Sequence, residues 1–238
     1  MSDAVAYLTG AREGTPLESG KWVVITFDDA PDWDYFDLVH PDVGSLKSFY
    51  RILVESGTHA DATWPSPSAV SFAIAGREAR IALDRACLAG RGHWRDFWWH
   101  EAALSGVLGI ANHSWDHTHV ELPVIRQREQ RKGTFFGIDS REDADAQIAA
   151  AQRYIWYRTG GLAMPYFAYP YGEAPEYLTK VYFPEFEDRH GIGAAFGTAG
   201  DYATRGVDRW NIPRFVCGKH WRKPEELEKI LRGARRGI

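Results

Sequence analysis

The chain has 238 residues, of which 45% are hydrophobic and 25% charged, so it can bury a core without help from disulfides. Its formal net charge is −4 and its pI about 6.1, which argues against a nucleic-acid partner because phosphate binding needs a concentrated basic surface. Two isolated cysteines, Cys87 and Cys217, are interpreted as reduced thiols.

The N-terminal residues 1–20 are polar and lack clear periodicity, so we expect an arm ahead of a single domain over 21–238. Asp3 stands where a secretory signal would carry lysines, and no apolar segment follows it. No stretch is long and apolar enough to span a bilayer. We expect a cytoplasmic protein without a membrane partner, or a secreted one if a signal was removed, and the oligomeric state stays open.

The strongest strand signal is the β-branched run Trp22–Phe27, which is typical of a strand buried on both faces. Ser140 with Asp143 resembles a capping box that opens a helix. The other predicted elements are helices over 45–56, 77–88, 96–105, 140–159 and 175–190 and from Pro224, and strands over 69–73, 107–111, 166–169, 192–197 and 212–216. Strands that alternate with helices predict an α/β fold with a parallel sheet, whose chemistry collects at the C-terminal strand ends if it closes into a barrel.

The first candidate motif, TFDDAP, directly follows the strongest strand. Its adjacent carboxylates, Asp28 and Asp29, point in different directions, so one can bind a metal while the other abstracts a proton. A plain turn built on Asp and Pro remains an alternative. A magnesium–diphosphate motif over Asp28, Asp29 and Asp32 would need a helix, and Pro31 argues against one.

The second candidate motif, HSWDHTH, follows the predicted strand 107–111. His113 and His117 are four residues apart, so a helical turn or a tight loop brings both imidazoles to one side. Neutral imidazole is the commonest ligand for zinc and similar metals. Three histidines within seven residues favour a metal site, with Asp116 as a candidate to orient an imidazole and His119 outside the ligand set.

The third candidate motif, YPYG, leaves the predicted strand 166–169. Tyr169, Pro170 and Tyr171 form either a plain turn or a substrate wall with a backbone N–H aimed at the reacting carbonyl oxygen.

The order TFDDxP, HSxxH and YPYG resembles the NodB-type polysaccharide deacetylases of carbohydrate esterase family 4, and the segment DRWNIPR at 208–214 resembles a later element of that family. The resemblance spans roughly 21–233. It implies a distorted (β/α)7 barrel in a single domain, with an Asp-His-His metal site.

The resemblance also implies a role for each matched residue. Asp28 would be the general base, and Asp29, His113 and His117 would bind one divalent transition metal, with zinc preferred and cobalt, nickel or iron as alternatives. The backbone N–H of Tyr171 would stabilise the oxyanion. The metal would polarise an acetamide carbonyl and acidify a water from which Asp28 takes a proton.

Three positions depart from the family pattern. Ala30 replaces the usual glycine, so the backbone there is expected to avoid positive φ. The arginine that holds the catalytic Asp in many relatives is Ala168 here, and Arg214 is the candidate to replace it. The general-acid histidine has no clean match, and His220 is the nearest candidate by position.

Ten tryptophans are present, and indole stacks well on sugar faces. Trp115 and Trp210, which lie inside motifs, are the predicted substrate contacts, together with Tyr169 and Pro170. The leading hypothesis is hydrolysis of an N-acetyl or similar acyl group on an amino sugar or polysaccharide. The alternatives are a cyclic-amide hydrolase resembling allantoinases, which acts on a small amide, and a non-catalytic glycan-binding module.

Overall fold

Five parallel strands form the central sheet of the computed structural model, which describes residues 2–8, 22–58, 66–122 and 132–234. In their order across the sheet, the strands are β1 (Ile25–Asp29), β4 (Ala69–Ala73), β5 (Leu108–Asn112), β6 (Tyr166–Ala168) and β7 (Ala194–Phe196). A small antiparallel hairpin, β2 (Leu38–His40) and β3 (Gly44–Leu46), follows β1. The sheet curls into a half-barrel, which confirms the predicted parallel α/β fold in a single domain.

Helices pack around the sheet, and the first of them buries Val5 against Val70 and Phe72 of β4. They are α1 (Ser2–Leu8), α2 (Phe49–Gly57), α3 (Arg77–Cys87), α4 (Trp99–Leu104), α5 (Arg141–Ala144), α6 (Ala150–Arg158), α7 (Phe183–Glu185), α8 (Glu187–His190) and α9 (Pro224–Gly233). A π-helical segment, Asp145–Ala149, joins α5 to α6. No helix among the described residues is long and apolar enough to cross a membrane.

Side chains on β4 show how the core forms in two layers. Because strand side chains alternate between faces, Ala69 and Ala73 pack on the helical side, in one cluster with Trp99. Val70 and Phe72 face the inside of the half-barrel, in a second cluster. All strands are parallel, so their C-terminal ends meet at one edge of the sheet, where the candidate motifs leave β1, β5 and β6.

The prediction of a first strand over Trp22–Phe27, buried on both faces, is wrong. The strand begins at Ile25, and the side chains of Trp22 and Val23 are 55% and 61% exposed. The reason is that β1 is the edge strand of the sheet and pairs only with β4 among the described strands.

The predicted strand over 212–216 is also absent. Ile212 forms an isolated parallel bridge with Phe196, and Pro213 has no N–H with which to extend it. The half-barrel is therefore open between β1 and this segment.

The predicted start of one helix is confirmed and that of another is wrong. Ser140 is the N-cap of α5 and accepts a hydrogen bond from the Asp143 N–H at 3.2 Å, as predicted. The helix predicted over 45–56 begins later, because 44–46 pairs with β2 and Ser48 supplies the cap instead. In the predicted arm, residues 2–8 are helical and bury Ala4 and Val5, whereas residues 1 and 9–20 lie outside the described part.

Candidate metal centre and active site

Three side chains that the sequence predicts as metal ligands lie together at the C-terminal edge of the sheet. Asp29 ends β1, and His113 and His117 follow β5, with β4 between the two strands. One ligand atom from each residue lies within 4.8 Å of the others. The Nε2 atoms of His113 and His117 are 3.5 Å and 3.9 Å from Asp29 Oδ1. The parallel strands bring the two motifs together.

Hydrogen bonds orient the two imidazoles. His113 Nδ1 lies 2.8 Å from the carbonyl oxygen of Ala168, to which it can only donate, and this contact leaves Nε2 facing Asp29. The backbone N–H of His117 donates to Ser114 Oγ at 2.9 Å, whereas its buried Nδ1 has no hydrogen-bond partner among the described residues. Asp116, the candidate to orient an imidazole, accepts hydrogen bonds from Thr118 N and Gln147 Nε2 and so shapes the loop.

The electrostatics of the cluster suit a cation. Burial, reinforced by the neighbouring His113 and His119, lowers the pKa of His117 to about 2, which keeps this imidazole neutral. Burial and the charge of Asp28 raise the pKa of Asp29, against the opposing effect of the histidines. The donor set, two imidazoles whose Nε2 atoms lie near a carboxylate oxygen, fits a divalent transition metal.

Asp28 is held by an arginine from a distant part of the chain. The Arg214 guanidinium donates to both Asp28 oxygens, at 2.7 Å and 3.0 Å, and to Thr26 Oγ1 at 3.1 Å. Burial raises the pKa of Asp28, but the charge of Arg214, together with His113, outweighs it, and the net pKa is lowered. Asp28 is therefore a charged carboxylate that can accept a proton. Arg214 makes the contact with Asp28 that the resemblance led us to expect from an arginine at position 168, where this chain has Ala168.

The backbone between β1 and the following turn corrects one expectation. Asp29 and Ala30 have φ values of 77° and 52°, so the prediction that Ala30 avoids positive φ is wrong. Ala30 is fully buried, and a left-handed conformation costs a residue with a Cβ roughly 1–2 kcal/mol. The indole N–H of Trp94 donates to the Asp29 carbonyl oxygen at 2.8 Å and helps to hold this conformation.

Tyr171 is the member of the third motif that reaches the cluster. It has a φ of 58°, and its ring centroid lies 4.5 Å from that of His117. Burial, followed by the charges of Glu173 and Asp29, raises the pKa of Tyr171 to about 12, so the phenol stays protonated.

Three of the four predicted substrate contacts, Tyr169, Pro170 and Trp210, are buried in the core, and the fourth, Trp115, is partly buried. Tyr169 is fully buried and donates its hydroxyl to the Trp210 carbonyl oxygen at 2.7 Å. Trp210 stacks on Phe183, with the ring centroids 5.2 Å apart. Pro170 is buried beside them, and Trp115 packs edge-on against Tyr154. Tyr169 and Trp210 belong to the core cluster that contains Phe183, and Trp115 packs against the cluster that contains Trp99.

A cavity of about 2010 Å³ adjoins the cluster, and it is lined at that end by Trp33, Trp94 and Tyr171. Trp33 and Trp94 were not selected from sequence because they lie between motifs, and only their place in the cavity lining distinguishes them from core tryptophans. His119 also lines this cavity.

His220, the predicted general acid, is held elsewhere. Its Nδ1 accepts a hydrogen bond from Val216 N at 2.8 Å, and its ring packs against Phe215 and the backbone of Gly200. Among the contacts of the described residues, none joins His220 to the metal cluster or to Asp28, so the structure does not bring it to the site.

Sequence reasoning missed a buried acid, Asp34. It accepts a hydrogen bond from Ser71 Oγ at 2.5 Å. Burial, and then repulsion by Asp29 and Asp28, raises its pKa to about 8 despite the Ser71 hydroxyl. Its only signal was its place three residues after the first motif, which by itself is typical of a turn.

A known protein family matches part of this chain. The family model described as "Polysaccharide deacetylase" matches residues 98–182, which include both histidines and the third motif. The resemblance to polysaccharide deacetylases is confirmed. The match indicates a hydrolase acting on carbon–nitrogen bonds other than peptide bonds. No match is found among curated proteins.

Solved structures of deacetylases share the fold. IcaB from Ammonifex degensii has a TM-score of 0.61 at 20% identity, over 97% of this chain and 78% of that one. The deacetylase PplD of Streptococcus pyogenes, in complex with acetate, has a TM-score of 0.61 at 13% identity, over 97% and 77%. The de-N-acetylase from Aggregatibacter actinomycetemcomitans has a TM-score of 0.56 at 13% identity, over 95% and 80%. At these identities the likeness concerns the fold alone.

Proposed function

We propose that this chain removes acetyl groups from an N-acetylated polysaccharide by a metal-dependent hydrolysis. The observation that carries the proposal is a three-residue ligand cluster beside a separate carboxylate, Asp28, which Arg214 keeps charged. A structural metal site has no use for a second carboxylate oriented away from the ligands, whereas hydrolysis needs a base next to the metal.

The metal would be held by Asp29, His113 and His117. Three protein ligands leave coordination positions open, as in catalytic sites. We propose zinc as the resident ion, because two neutral imidazoles and one carboxylate suit it, with cobalt, nickel or iron as alternatives. When bound, the ion would act as a Lewis acid on the acyl carbonyl and on the attacking water.

The chain's own residues have separate tasks in this mechanism. Asp28 accepts the proton of the attacking water, and Arg214 fixes its two oxygens so that the carboxylate keeps one orientation. The backbone N–H of Tyr171, beside His117, is proposed as a donor to the developing oxyanion. Trp33 and Trp94 replace Trp115 and Trp210 as candidate sugar contacts, because they line the cavity.

The N-acetylated substrate is transferred from the relatives. PplD is a deacetylase, and the Aggregatibacter protein is a de-N-acetylase. A site without an arginine beside the catalytic carboxylate would have favoured the cyclic-amide alternative, and Arg214 supplies that charge although position 168 is an alanine. No contact favours the glycan-binding alternative over a hydrolase.

Elemental analysis combined with acetate release tests the proposal. The wild type, purified without added metal and then incubated with zinc, is expected to hold about one ion per chain and to release acetate from N-acetylated oligosaccharides. His113→Ala should lose the ion, whereas Asp28→Asn should keep it and lose at least a hundredfold in rate. Asp42→Asn, whose side chain is 86% exposed, is the matched control and should behave as wild type. A wild type that binds no metal would refute the mechanism.

A further inference from the structure

Trp94 contacts the backbone of a metal-ligand residue from a segment that none of the motifs contains. Its indole N–H donates to the carbonyl oxygen of Asp29 at 2.8 Å, across 65 positions of sequence. The acceptor belongs to the residue whose carboxylate faces His113 and His117. A change at this hydrogen bond therefore acts directly on the placement of a ligand.

The Asp29 backbone needs an external partner to keep its conformation. Asp29 and Ala30 are consecutive residues with positive φ, a region that side chains with a Cβ disfavour. A strained conformation persists where its surroundings over-determine it. Trp94 supplies one of those determinants at the ligand itself.

The segment that carries Trp94 is fastened to the loop after β1 at several points. Asp32 N donates to His93 O at 2.8 Å, and the Asp32 carboxylate accepts from Arg95 N at 2.8 Å and Arg95 Nε at 2.6 Å. The Trp98 indole adds a longer bond to Asp32 at 3.3 Å. These contacts hold residues 93–98 against the loop that follows β1.

The indole ring of Trp94 is anchored from its other side. It packs against a buried apolar cluster that contains Ile74 and Leu83, the latter on α3. Its N–H is thereby aimed at Asp29 by a ring that packing holds in place, while the ring also lines the cavity next to Asp28. Trp94 is therefore a rigidly packed residue that supports a ligand residue from outside the coordination sphere, and such contacts tune metal affinity.

We propose that Trp94 is a positioning residue for the metal centre: through its hydrogen bond to the Asp29 carbonyl it holds the Asp29 carboxylate in line with His113 and His117. This inference rests on the proposed function, in which those three residues bind the ion. Trp94 acts through Asp29 and takes no part in proton transfer.

The test compares two tryptophan-to-phenylalanine variants. Trp94→Phe removes the donor and keeps an aromatic ring. Trp99→Phe makes the same change at a fully buried indole whose N–H has no partner among the described residues, so it controls for lost volume. For each protein, we would measure the zinc dissociation constant by competition with a chromophoric chelator and the visible spectrum of the cobalt form. The urea midpoint of the metal-free form would report the stability.

Trp94→Phe is expected to weaken zinc binding about tenfold and to shift the cobalt spectrum. Trp99→Phe should change the urea midpoint and leave both metal readouts as in the wild type. Equal zinc affinities and equal cobalt spectra for wild type and Trp94→Phe would overturn the inference, and so would an equal loss of affinity in both variants.

If Trp94→Phe does not fold, benzothienylalanine at position 94 removes the N–H at nearly constant volume, and the same criteria apply. A wild type without metal overturns this inference together with the proposed function, whereas a zinc-binding wild type with a normal Trp94→Phe variant overturns this inference alone.

Discussion

Replacing Asp34 by asparagine should change how the stability of the metal-free protein depends on pH. Asp34 is 1% exposed, and burial raises its pKa from 3.8 to about 8. Between these two values the folded protein holds a proton on Asp34 that the unfolded chain has released. The unfolding free energy therefore falls as the pH rises through this window, by about 1.4 kcal/mol per pH unit for one proton.

The difference of about 4 units between the folded and unfolded pKa of Asp34 corresponds to about 6 kcal/mol. Above pH 8, where the carboxyl is charged in both states, the unfolding free energy of the wild type is lower by this amount. The asparagine side chain does not titrate, so the variant lacks this loss. The stability of Asp34→Asn relative to the wild type should increase by about 3 kcal/mol between pH 5 and pH 7. Any constant packing difference between the two side chains cancels in that comparison.

The assay is urea unfolding followed by tryptophan fluorescence at pH 5, 6, 7 and 8, with EDTA present, because a cation beside Asp29 would offset the repulsion. Asp37→Asn is the control: the Ser48 N–H and the Arg51 side chain hold the pKa of Asp37 below its usual value, so it does not titrate in this range. Parallel pH profiles for wild type and Asp34→Asn would refute the assignment of Asp34 as a protonated buried acid.

Two further predictions concern Asp28 and the turn after the third motif. Arg214→Ala removes both hydrogen bonds from Asp28, so the pKa of Asp28 should rise. The acid limb of the kcat/KM profile should then move at least one unit to higher pH, and the rate at pH 7 should fall at least tenfold. An unchanged pH–rate profile would contradict this role of Arg214. Gly172→Ala places a Cβ well inside van der Waals contact with Thr198 Oγ1 at a φ of 72° and should cost about 2–4 kcal/mol in urea unfolding. Gly218→Ala has a similar φ and open space, so it should cost only about 1 kcal/mol, and equal losses in both variants would show that the contact with Thr198 is not the cause.

The candidate metal cluster was predictable from sequence because each of the two motifs that form it is a short local segment at a strand end. Asp28 and Asp29 directly follow a β-branched run, and His113 and His117 are four residues apart after another strand. Parallel strands place their C-terminal ends at one edge whatever their exact limits, so errors of a few residues in the strand bounds did not separate the motifs.

The contacts that complete the site were decided by tertiary structure. Arg214 reaches Asp28 across 186 positions and Trp94 reaches Asp29 across 65, and no periodicity or spacing rule encodes such pairs. Arg214 was selected only through a resemblance, and Trp94 was not selected at all. Burial also depended on distant residues: Trp210 lies within a motif yet is buried in the core, and Trp115 lies within a motif yet packs against another core cluster.

The sequence by itself determined which groups could bind a metal or accept a proton, because residue type and position at a strand end can both be read from it. The packing of the sheet and helices decided which of them are neutral, charged or strained, because pKa values and backbone strain depend on neighbours that only the fold brings together. The edge position of β1 is the clearest case: the run from Trp22 has the composition of a buried strand, and the lack of a second neighbouring strand among the described residues leaves its first residues exposed.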